Sequence, residues 1–527
     1  MGENKYFLYR IDVRRLSGMF GAQCAPYRID VVTFRCCALD LSVIRAHRER
    51  LDFVTFRYCA SDPTRNDSIT KCQWKIAKWR SSNSQLPITN YPLPIPHSQL
   101  LTKLTMKNEI HRTVLDNGIV VLASENPAAD IISARIFLRA GSRCVQPEQA
   151  GLCHLLSAVM TKGTDRLSSL EIAERVESVG ARLSTDSTTD YFLVSLKTVV
   201  ADFQDILELA AELMRSPTFP EAEVELERRI AISAIRSQQE QPFAIAFEQL
   251  RQAMYKEHPY AFSTLGTEAT MSTLTRNELE QFHKTYFRPD NVVISVAGRI
   301  STEDAIALID RTFGDWKAPL TPLPTLNFPP LTPSPKTVAK AQDTQQSVIL
   351  LGYLAPSVKN PDYAAMKLLN TYLGNGLSSR LFVELREKRG LAYDVSALYA
   401  TRLDAAQFVA YMGTAPENTV TAFEGLRTEV DRLANIELSE EELQACKNKM
   451  LGQYALGKQT NSQIAQVLGW YEILELGIKF DEQFQKEIAA VTTAQAQEAA
   501  QKYFIEPYIS LVGPEAAIQE LGVPAVC

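Results

Sequence analysis

The chain has 527 residues, which is too long for one domain and long enough for several buried cores. Its net charge of −6 and pI near 5.7 argue against a nucleic-acid-binding surface and against docking on anionic membranes. No apolar run approaches the ~20 residues that span a bilayer. We therefore expect a soluble protein with no membrane insertion, cytoplasmic or periplasmic in a bacterium or organellar in a eukaryote.

Residues 1–105 differ from the rest of the chain in charge. They contain 16 Lys and Arg against 8 Asp and Glu, and they show no sustained helical or alternating pattern. Three interpretations are open: an organelle transit segment, against which the acidic residues count, an accessory domain, or translated sequence upstream of a true start at Met106. We favour the third and expect a poorly ordered segment.

The pattern becomes regular after Met106. RTVLDNGIVVLASE predicts a hairpin whose turn at Asn117 and Gly118 needs positive φ. DIISARIFLRAGSR alternates like a half-buried strand, and helices are predicted through His154 and over SSLEIAERVESVGA. ARLSTDSTTDYFLVSLKTV predicts two strands, helices fill residues 203–255, and NELEQFHKTYF and NVVISVAG predict a helix and a buried strand. This alternation indicates an α+β fold of sheet and helices.

Residues 316–335 hold seven prolines, which is typical of a semi-rigid, extended linker. Beyond it the first pattern returns, because LTRNELEQFHKTYF is matched 217 residues later by VTTAQAQEAAQKYF. Each copy is followed by a strand ending in Gly. One long repeat indicates a duplicated domain. We expect two domains of about 210 residues each, at 106–316 and 339–527, joined by a linker at 317–338 into a clamshell.

The segment GLCHLLSAVMTKGT has the frame of an inverted zinc-peptidase helix, His-x-x-Glu-His. In such a helix two His at i and i+4 share one face and reach one zinc ion, and the Glu acts as general base on a metal-bound water. Here His154 remains, Ser157 stands at the Glu position and Ala158 at the second His position. Because a catalytic zinc needs three protein ligands, a lone His is more typical of a structural residue with a local hydrogen bond.

This layout resembles the pitrilysin/insulinase family of zinc peptidases, in its mitochondrial-processing-peptidase-like branch. The resemblance covers residues 106 to about 514, including FLRAGSR before the helix, KGT after it and the Pro-rich linker. In active members a third ligand, a Glu, lies seven residues after a supporting acid, and LERRIAISAIRSQQE matches these positions with Glu227 and Ala234. The resemblance implies that two ligands and the general base are lost together, at Ala158, Ala234 and Ser157, and that this chain holds no metal.

The second half retains a different part of the family pattern. LGNGLSSRLFVELREKRGLAYDVSALY is similar to the family's second-domain signature, in which an Arg and a Tyr seven residues apart reach the substrate beside the zinc. That spacing falls on Arg386 and Tyr393. A helix over 378–388 is predicted to end near Gly390 in a left-handed cap. An Arg can donate paired hydrogen bonds to a peptide, and a Tyr hydroxyl can stabilise an oxyanion. Without the resemblance, the two would be a helix C-terminal cation and a packing aromatic.

These observations predict the non-catalytic subunit of a heterodimeric zinc endopeptidase that acts on peptides or unfolded proteins. A homologous partner with an intact His-x-x-Glu-His helix would hold the zinc, so no cofactor is expected in this chain. The resemblance also implies strand addition of the peptide to a sheet edge, which we place near residues 181–197. Two alternatives stay open: a structural assembly subunit like respiratory-complex core proteins, and a protein that binds peptides without cleavage. His111, His258 and His283 lack metal-ligand spacing and are predicted to be structural or surface residues.

Overall fold

The computed structural model describes residues 110–522 and, ahead of them, the backbone of four strands. These are β1 (Ile29–Cys36), β2 (Leu39–Ala46), β3 (Leu51–Tyr58) and β4 (Gln73–Lys78). They form an antiparallel sheet in the order β1-β2-β3-β4, which sequence patterns did not predict. The expectation that residues 1–105 are poorly ordered, or precede a true start at Met106, otherwise falls outside the described residues and stays a prediction.

The first half of residues 110–522 alternates strands and helices as the sequence pattern predicts. Its strands are β5 (Ile110–Val114), β6 (Val120–Glu125), β7 (Ile131–Leu138), β8 (Arg182–Ser187), β9 (Phe192–Val199) and β10 (Val292–Gly298). Its helices are α1 (Leu152–Val159), α2 (Ser169–Glu177), α3 (Phe203–Arg215), α4 (Glu221–Gln239), α5 (Pro242–Tyr255), α6 (Glu268–Thr273), α7 (Arg276–Tyr286) and α8 (Thr302–Phe313).

The second half repeats the plan with one unusual helix. Its strands are β11 (Thr337–Ala341), β12 (Ser347–Ala355), β13 (Asp394–Tyr399), β14 (Ala406–Thr414) and β15 (Tyr508–Gly513). Its helices are α9 (Tyr363–Gly374), a π-helix (Phe382–Lys388), α10 (Thr419–Asn435), α11 (Glu440–Leu456), α12 (Asn461–Ile473), α13 (Phe480–Ala490), α14 (Thr493–Tyr503) and α15 (Glu515–Glu520). None of the helices in the described part of the chain is long and apolar enough to cross a membrane.

Each half is built on one mixed sheet. The first has the order β5-β6-β10-β7-β9-β8, and the second has the order β11-β15-β12-β14-β13. Each contains one parallel pair, β6 with β10 and β11 with β15, and its other neighbours are antiparallel. The hairpins β8–β9 and β13–β14 therefore correspond, and each places its first strand at a sheet edge. The α+β expectation is confirmed.

The predicted repeat is confirmed at residue level. α7 and α14 begin 217 residues apart, and each is preceded by a Thr, Thr275 or Thr492, whose side chain accepts a hydrogen bond in a capping box. The strand that follows each helix ends in Gly298 or Gly513 and is largely buried. The two halves therefore share one plan of elements.

The halves exchange helices. α12 lies on β7 and β10 of the first sheet, where a Cβ on Gly469 would lie 2.2 Å from Cε2 of Phe137. In return α5 lies on β12 and β15 of the second sheet, where a Cβ on Gly352 would lie 2.7 Å from Sδ of Met254. Residues of both halves consequently share two apolar clusters, one under each exchanged helix. A further cluster lies within the first half alone.

The Pro-rich segment is held against both halves along its length. Residues 314–336 contain no helix or strand. Arg288 donates through Nη1 to the carbonyl oxygen of Thr321 at 2.6 Å, and the amide N–H of Ser334 donates to the Tyr508 hydroxyl at 2.6 Å. These contacts fix the path of the segment across the surface.

Candidate functional site

Helix α1 carries the first group of predicted site residues. Its start is fixed by Gly151, which has a φ of +98° that favours glycine, and a Cβ there would lie 2.7 Å from the carbonyl oxygen of Leu265. His154 is half-buried on the first turn. Burial lowers the pKa of its imidazole, and the charges of Asp186 and Glu227 only partly oppose this shift. The neutral imidazole is therefore the favoured form at neutral pH.

The general-base position holds a hydroxyl that bonds within its own helix. Ser157 is 6% exposed, and its Oγ donates to the carbonyl oxygen of His154 at 2.7 Å. The carbonyl oxygen of Ser157 in turn accepts a hydrogen bond from Oγ1 of Thr185 on β8 at 2.6 Å. Ala158, at the second His position, offers only a methyl group. The hydroxyl and the carbonyl oxygen of Ser157 are thus both hydrogen-bonded without a ligand.

The acidic position on α4 is neutralised by a lysine. Nζ of Lys162 lies 2.9 Å from Oε1 of Glu227, and neither side chain is more than about a quarter exposed. Ala234, two turns further along α4, is exposed, as is Ile230 between them. The stripe of α4 that these residues form is therefore apolar apart from one ion-paired carboxylate.

These residues do not fit a catalytic zinc ion. Within residues 110–522 no three His, Cys, Asp or Glu side chains come together in an arrangement that could hold a metal. The positions in question offer one imidazole, a hydroxyl bonded to its own helix and a carboxylate bonded to a lysine, whereas a catalytic zinc needs three protein ligands. No chemical step is therefore assigned to a metal bound by these residues.

The second group of predicted site residues lies on and after the π-helix. Helical backbone begins at Arg380 and widens into π geometry from Phe382, where the sequence predicted an ordinary α-helix from residue 378. Gly390 has a φ of +63°, so the predicted left-handed cap is confirmed. π-helical turns are rare and occur often at functional sites, but no sequence pattern signals this one.

Arg386 and Tyr393 are brought together by a direct hydrogen bond. Nη1 of Arg386 donates to the carbonyl oxygen of Tyr393 at 2.9 Å, and the guanidinium lies 5.1 Å from the ring centroid of Phe382. The guanidinium makes no further hydrogen bond to the described residues. One edge of the side chain is thus anchored, while other N–H groups face solvent and can bind a carbonyl or carboxylate oxygen.

Tyr393 stands where the edge strand of the second sheet begins. Its backbone N–H donates to the carbonyl oxygen of Gly413 on β14 at 2.8 Å, so the main chain is fixed. Its side chain is 60% exposed. A phenol held this way is a hydroxyl donor at the surface and contributes little to the core. No hydrogen bond or ion pair within residues 110–522 joins this pair to the His154 helix.

The hairpin predicted to accept a peptide strand is also at an edge. β8 pairs with β9 and has no strand on its other side among the described residues. Its residues alternate between exposed and half-buried, which leaves main-chain groups available along one side. Strand addition by a peptide at this edge stays a prediction.

Sequence reasoning missed a cluster of charged residues between the two halves. Arg143 bonds to Asp404 of the second half at 2.7 Å and to Asp190 of the first at 3.3 Å. Asp190 also accepts from the Tyr260 hydroxyl at 2.6 Å. Burial, with the charge of Asp190, raises the pKa of Tyr260 well above its usual range. No spacing in the sequence links these positions, so only the folded chain reveals them.

Aromatic contacts tie this cluster to the Pro-rich segment. The Phe328 ring lies 5.0 Å from the His258 ring and 5.1 Å from the Arg143 guanidinium. The His258 side chain is 2% exposed, with Nε2 3.7 Å from Asp404. His283 bonds through Nε2 to the carbonyl oxygen of Met214 at 2.9 Å. Both histidines are thus structural, as predicted from their spacing.

The fold matches one class of protein, the zinc metallopeptidases built from duplicated α+β domains. The family model described as "Insulinase (Peptidase family M16)" matches residues 120–268, and that described as "Peptidase M16 inactive domain" matches residues 273–450. The chain belongs to the peptidase M16, or insulinase, family, and the resemblance read from the sequence is confirmed.

Individual relatives agree with this assignment. The Bacillus subtilis protein named uncharacterized zinc protease YmxG is 28% identical over 409 residues, which is 77% of this chain and 98% of the relative. An uncharacterized zinc protease of Mycobacterium leprae is 26% identical over 417 residues, covering 78% of this chain and 93% of the relative.

Solved structures show the same architecture. The crystal structure of a peptidase M16 inactive domain from Pseudomonas fluorescens has a TM-score of 0.72 and 25% identity, covering 77% of this chain and 98% of that one. A protease from Helicobacter pylori has a TM-score of 0.73 and 22% identity, covering 77% and 100%, and shows the fold alone.

Proposed function

We propose that this chain is the non-catalytic subunit of a heterodimeric zinc endopeptidase that acts on peptides or unfolded proteins. The zinc is held by a homologous partner chain with a complete His-x-x-Glu-His helix. This chain contributes Arg386 and Tyr393 to the shared site. The alternatives, an assembly subunit and a peptide-binding protein without cleavage, predict different outcomes in the experiment below.

One observation carries the proposal. The chain has a surface-exposed Arg–Tyr pair, anchored by the 2.9 Å hydrogen bond between them, in a protein whose His154 helix does not fit a zinc ion. A purely architectural subunit has no need of a phenol that is 60% exposed beside a partly unpaired guanidinium. An exposed, prearranged donor pair is what a substrate-binding subunit requires.

The chemistry of the pair suits a peptide in the act of cleavage. The N–H groups of Arg386 donate to a peptide carbonyl or carboxylate oxygen, and the Tyr393 hydroxyl donates to the oxyanion that develops as the carbonyl is attacked. Loss of one such donor typically costs about 3 kcal/mol of transition-state stabilisation. Because the backbone at both residues is fixed by hydrogen bonds, little ordering is needed when the peptide binds.

The edge strand β8 supplies a second contact in this proposal. An extended peptide added to β8 gains main-chain hydrogen bonds that do not depend on its sequence. An enclosed site between two chains would admit peptides and unfolded segments and exclude folded proteins.

Reconstitution tests the proposal. The purified chain is expected to contain no stoichiometric zinc and to cleave no peptide, and activity is expected when the zinc-bearing partner is added. Arg386→Ala should then lower turnover about 100-fold. Lys388→Ala, an exposed cation two residues along the same π-helix, is the matched control and should leave turnover unchanged.

The outcomes distinguish the three candidate functions. An assembly subunit would be needed for partner stability but insensitive to Arg386→Ala. A peptide-binding protein would lose affinity in the variant, although no partner would make it cleave. One tightly bound zinc per purified chain would overturn the proposal outright.

A further inference from the structure

An exposed apolar surface lies beside β13, the edge strand that begins directly after Tyr393. Phe243, Phe247, Leu398 and Tyr411 form it, and we name these four residues the β13 shelf. Phe243 packs edge-on against Tyr411 at 4.8 Å between ring centroids and stacks with Phe247 at 6.0 Å. Phe243 remains 37% exposed and Leu398 remains 41% exposed.

The shelf exists only because the halves exchange helices. Its two phenylalanines lie on α5, which belongs to the first half, and its other two residues lie on strands of the second sheet. In the β13–β14 register Ser396 is opposite Tyr411 and Leu398 is opposite Val409, so Tyr411 and Leu398 share the face that α5 covers. The shelf therefore lies on one face of the second sheet, and its Leu398 is five residues beyond Tyr393 in the sequence.

The first half shows that the fold does not require aromatic residues here. α5 and α12 align through their Ile-Ala pairs, and the positions of the two phenylalanines on α12 are Ser462 and Gln466. Ser462 bonds to Ser133 at 2.9 Å, and Gln466 bonds to Arg135 at 3.2 Å. Polar, paired side chains close the first sheet, whereas exposed aromatic ones lie on the second. Such exposed clusters mark binding sites.

The geometry of β13 decides what kind of molecule covers the shelf. Among the described residues β13 has one strand neighbour, β14, so its outer backbone groups suit an added strand. A stable subunit interface takes about 800 Å² from each partner. The shelf residues, each less than half exposed, offer on the order of 300 Å². A single extended peptide fits this area, and a second folded chain does not.

We propose that the β13 shelf binds the apolar side chains of an extended peptide that pairs with β13, an inference that rests on the proposed function. Leu398 is five residues beyond Tyr393, a distance of roughly 17 Å along a strand. The preferred substrates therefore carry a bulky aliphatic or aromatic residue a few positions from the bond held at Arg386 and Tyr393. The shelf residues determine specificity and take no part in bond cleavage.

Peptide binding to the full chain tests this inference without a partner. Two fluorescent peptides of about ten residues are compared by anisotropy, one with Leu and Phe at alternate positions and one with Ser and Gln there. The wild-type chain should bind the apolar peptide about tenfold more tightly. Phe243→Ser, which copies the α12 residue, and Leu398→Thr should each bring this ratio close to one. Leu320→Ser, at a fully exposed leucine of the Pro-rich segment, should leave it unchanged.

Two further arms separate the steps of the inference. N-methylation of alternate amides in the apolar peptide should weaken its binding about tenfold, because strand pairing is blocked. Arg386→Ala should weaken both peptides by the same factor and keep their ratio. If the affinity ratio between the two peptides is kept but Arg386→Ala leaves both affinities unchanged, the β13 shelf binds the peptide as proposed and the role proposed for Arg386 is wrong.

Several results would contradict the proposal that the β13 shelf binds an extended peptide. An unchanged ratio in Leu398→Thr would do so even if Phe243→Ser failed to fold, since Leu398 lies on an edge strand outside the shared core. Full binding of the N-methylated peptide would exclude strand pairing. Loss of subunit association in the shelf variants, with the peptide ratio intact, would show that another protein chain covers this surface.

Discussion

In the first half, the Ser157 hydroxyl donates to the His154 carbonyl oxygen and Lys162 pairs with Glu227. In the second half, Arg386 uses one N–H group to anchor itself and leaves others at the surface. A polar group already satisfied within the protein gains little from a ligand, whereas an exposed donor in a fixed position loses little entropy on binding. Under the proposed function, the substrate-binding side chains therefore lie in the second half, and β8 of the first half contributes main-chain groups only.

The exchanged helices repeat this contrast on a larger scale. α12 closes the first sheet with serine and glutamine side chains that bond to the strands beneath, and α5 closes the second with phenylalanines that stay partly exposed. One structural plan thus gives a hydrogen-bonded polar cover in one half and partly exposed phenylalanines in the other.

The contrast between the halves predicts its largest effect on turnover. In the reconstituted heterodimer, Tyr393→Phe should reduce kcat about 100-fold, since it removes the hydroxyl donor to the oxyanion. His154→Ala should change kcat less than about twofold, because this imidazole holds no metal. Steady-state kinetics on one peptide compares the two variants directly. Equal losses in both would show that the halves do not differ as described.

A second prediction concerns the helix exchange that joins the halves. Gly469→Ala places a methyl group 2.2 Å from the Phe137 ring in a closed core, and should destabilise the chain by about 2–3 kcal/mol. Gly452→Ala, in α11 with no atom within 4 Å of the new methyl, should be neutral or stabilise by about 1 kcal/mol. Urea unfolding measures both. A stable Gly469→Ala chain would mean that α12 does not pack as tightly as described.

A third prediction concerns how the free energy of unfolding depends on pH through His283 in the first half. Burial lowers the pKa of His283 from 6.5 to about 4. Between these two pH values the imidazole is protonated in the unfolded chain and neutral in the folded chain. The free energy of unfolding should fall by about 2 kcal/mol as pH drops from 6.5 towards 4. His283→Gln keeps a donor for the Met214 carbonyl but does not titrate. Denaturation curves at several pH values should show a shallower acid loss in this variant, and parallel curves would contradict the shift.

The smallest expected effect comes from metal removal. Treating the purified chain with a chelator should leave its melting temperature unchanged, because the His154 region does not supply three ligands. A partner subunit with a complete zinc helix, treated in the same way, is the positive control. A drop of several degrees in this chain would show that it binds a structural metal.

The sequence predicted most of the fold because each element is encoded locally. Thr275 and Thr492 cap equivalent helices, and Gly118 and Gly390 have the positive φ that the sequence predicts. The long repeat can be recognised from the sequence alone. His154 lies on the predicted helix, whereas Arg386 lies in a π-helix and Tyr393 lies one residue before β13. Their functional roles stay predictions that the experiments above must test.

The four strands between residues 29 and 78 escaped prediction. So did the π-helix, whose sequence suits an α-helix equally well, since the two differ by one residue per hydrogen-bonded turn. The charged cluster of Arg143, Asp190 and Asp404 was likewise invisible, because its members lie up to 261 residues apart.

By itself the sequence determined the α+β plan, its duplication, the absence of His and Glu at positions 157, 158 and 234, and the spacing of Arg386 and Tyr393. Only the tertiary structure decided which half covers which sheet, that Lys162 neutralises Glu227, and that Phe243 stands beside Tyr411. The reason is physical: periodicity, caps and glycines act over a few residues, whereas an exchanged helix brings together side chains whose proximity no local pattern encodes.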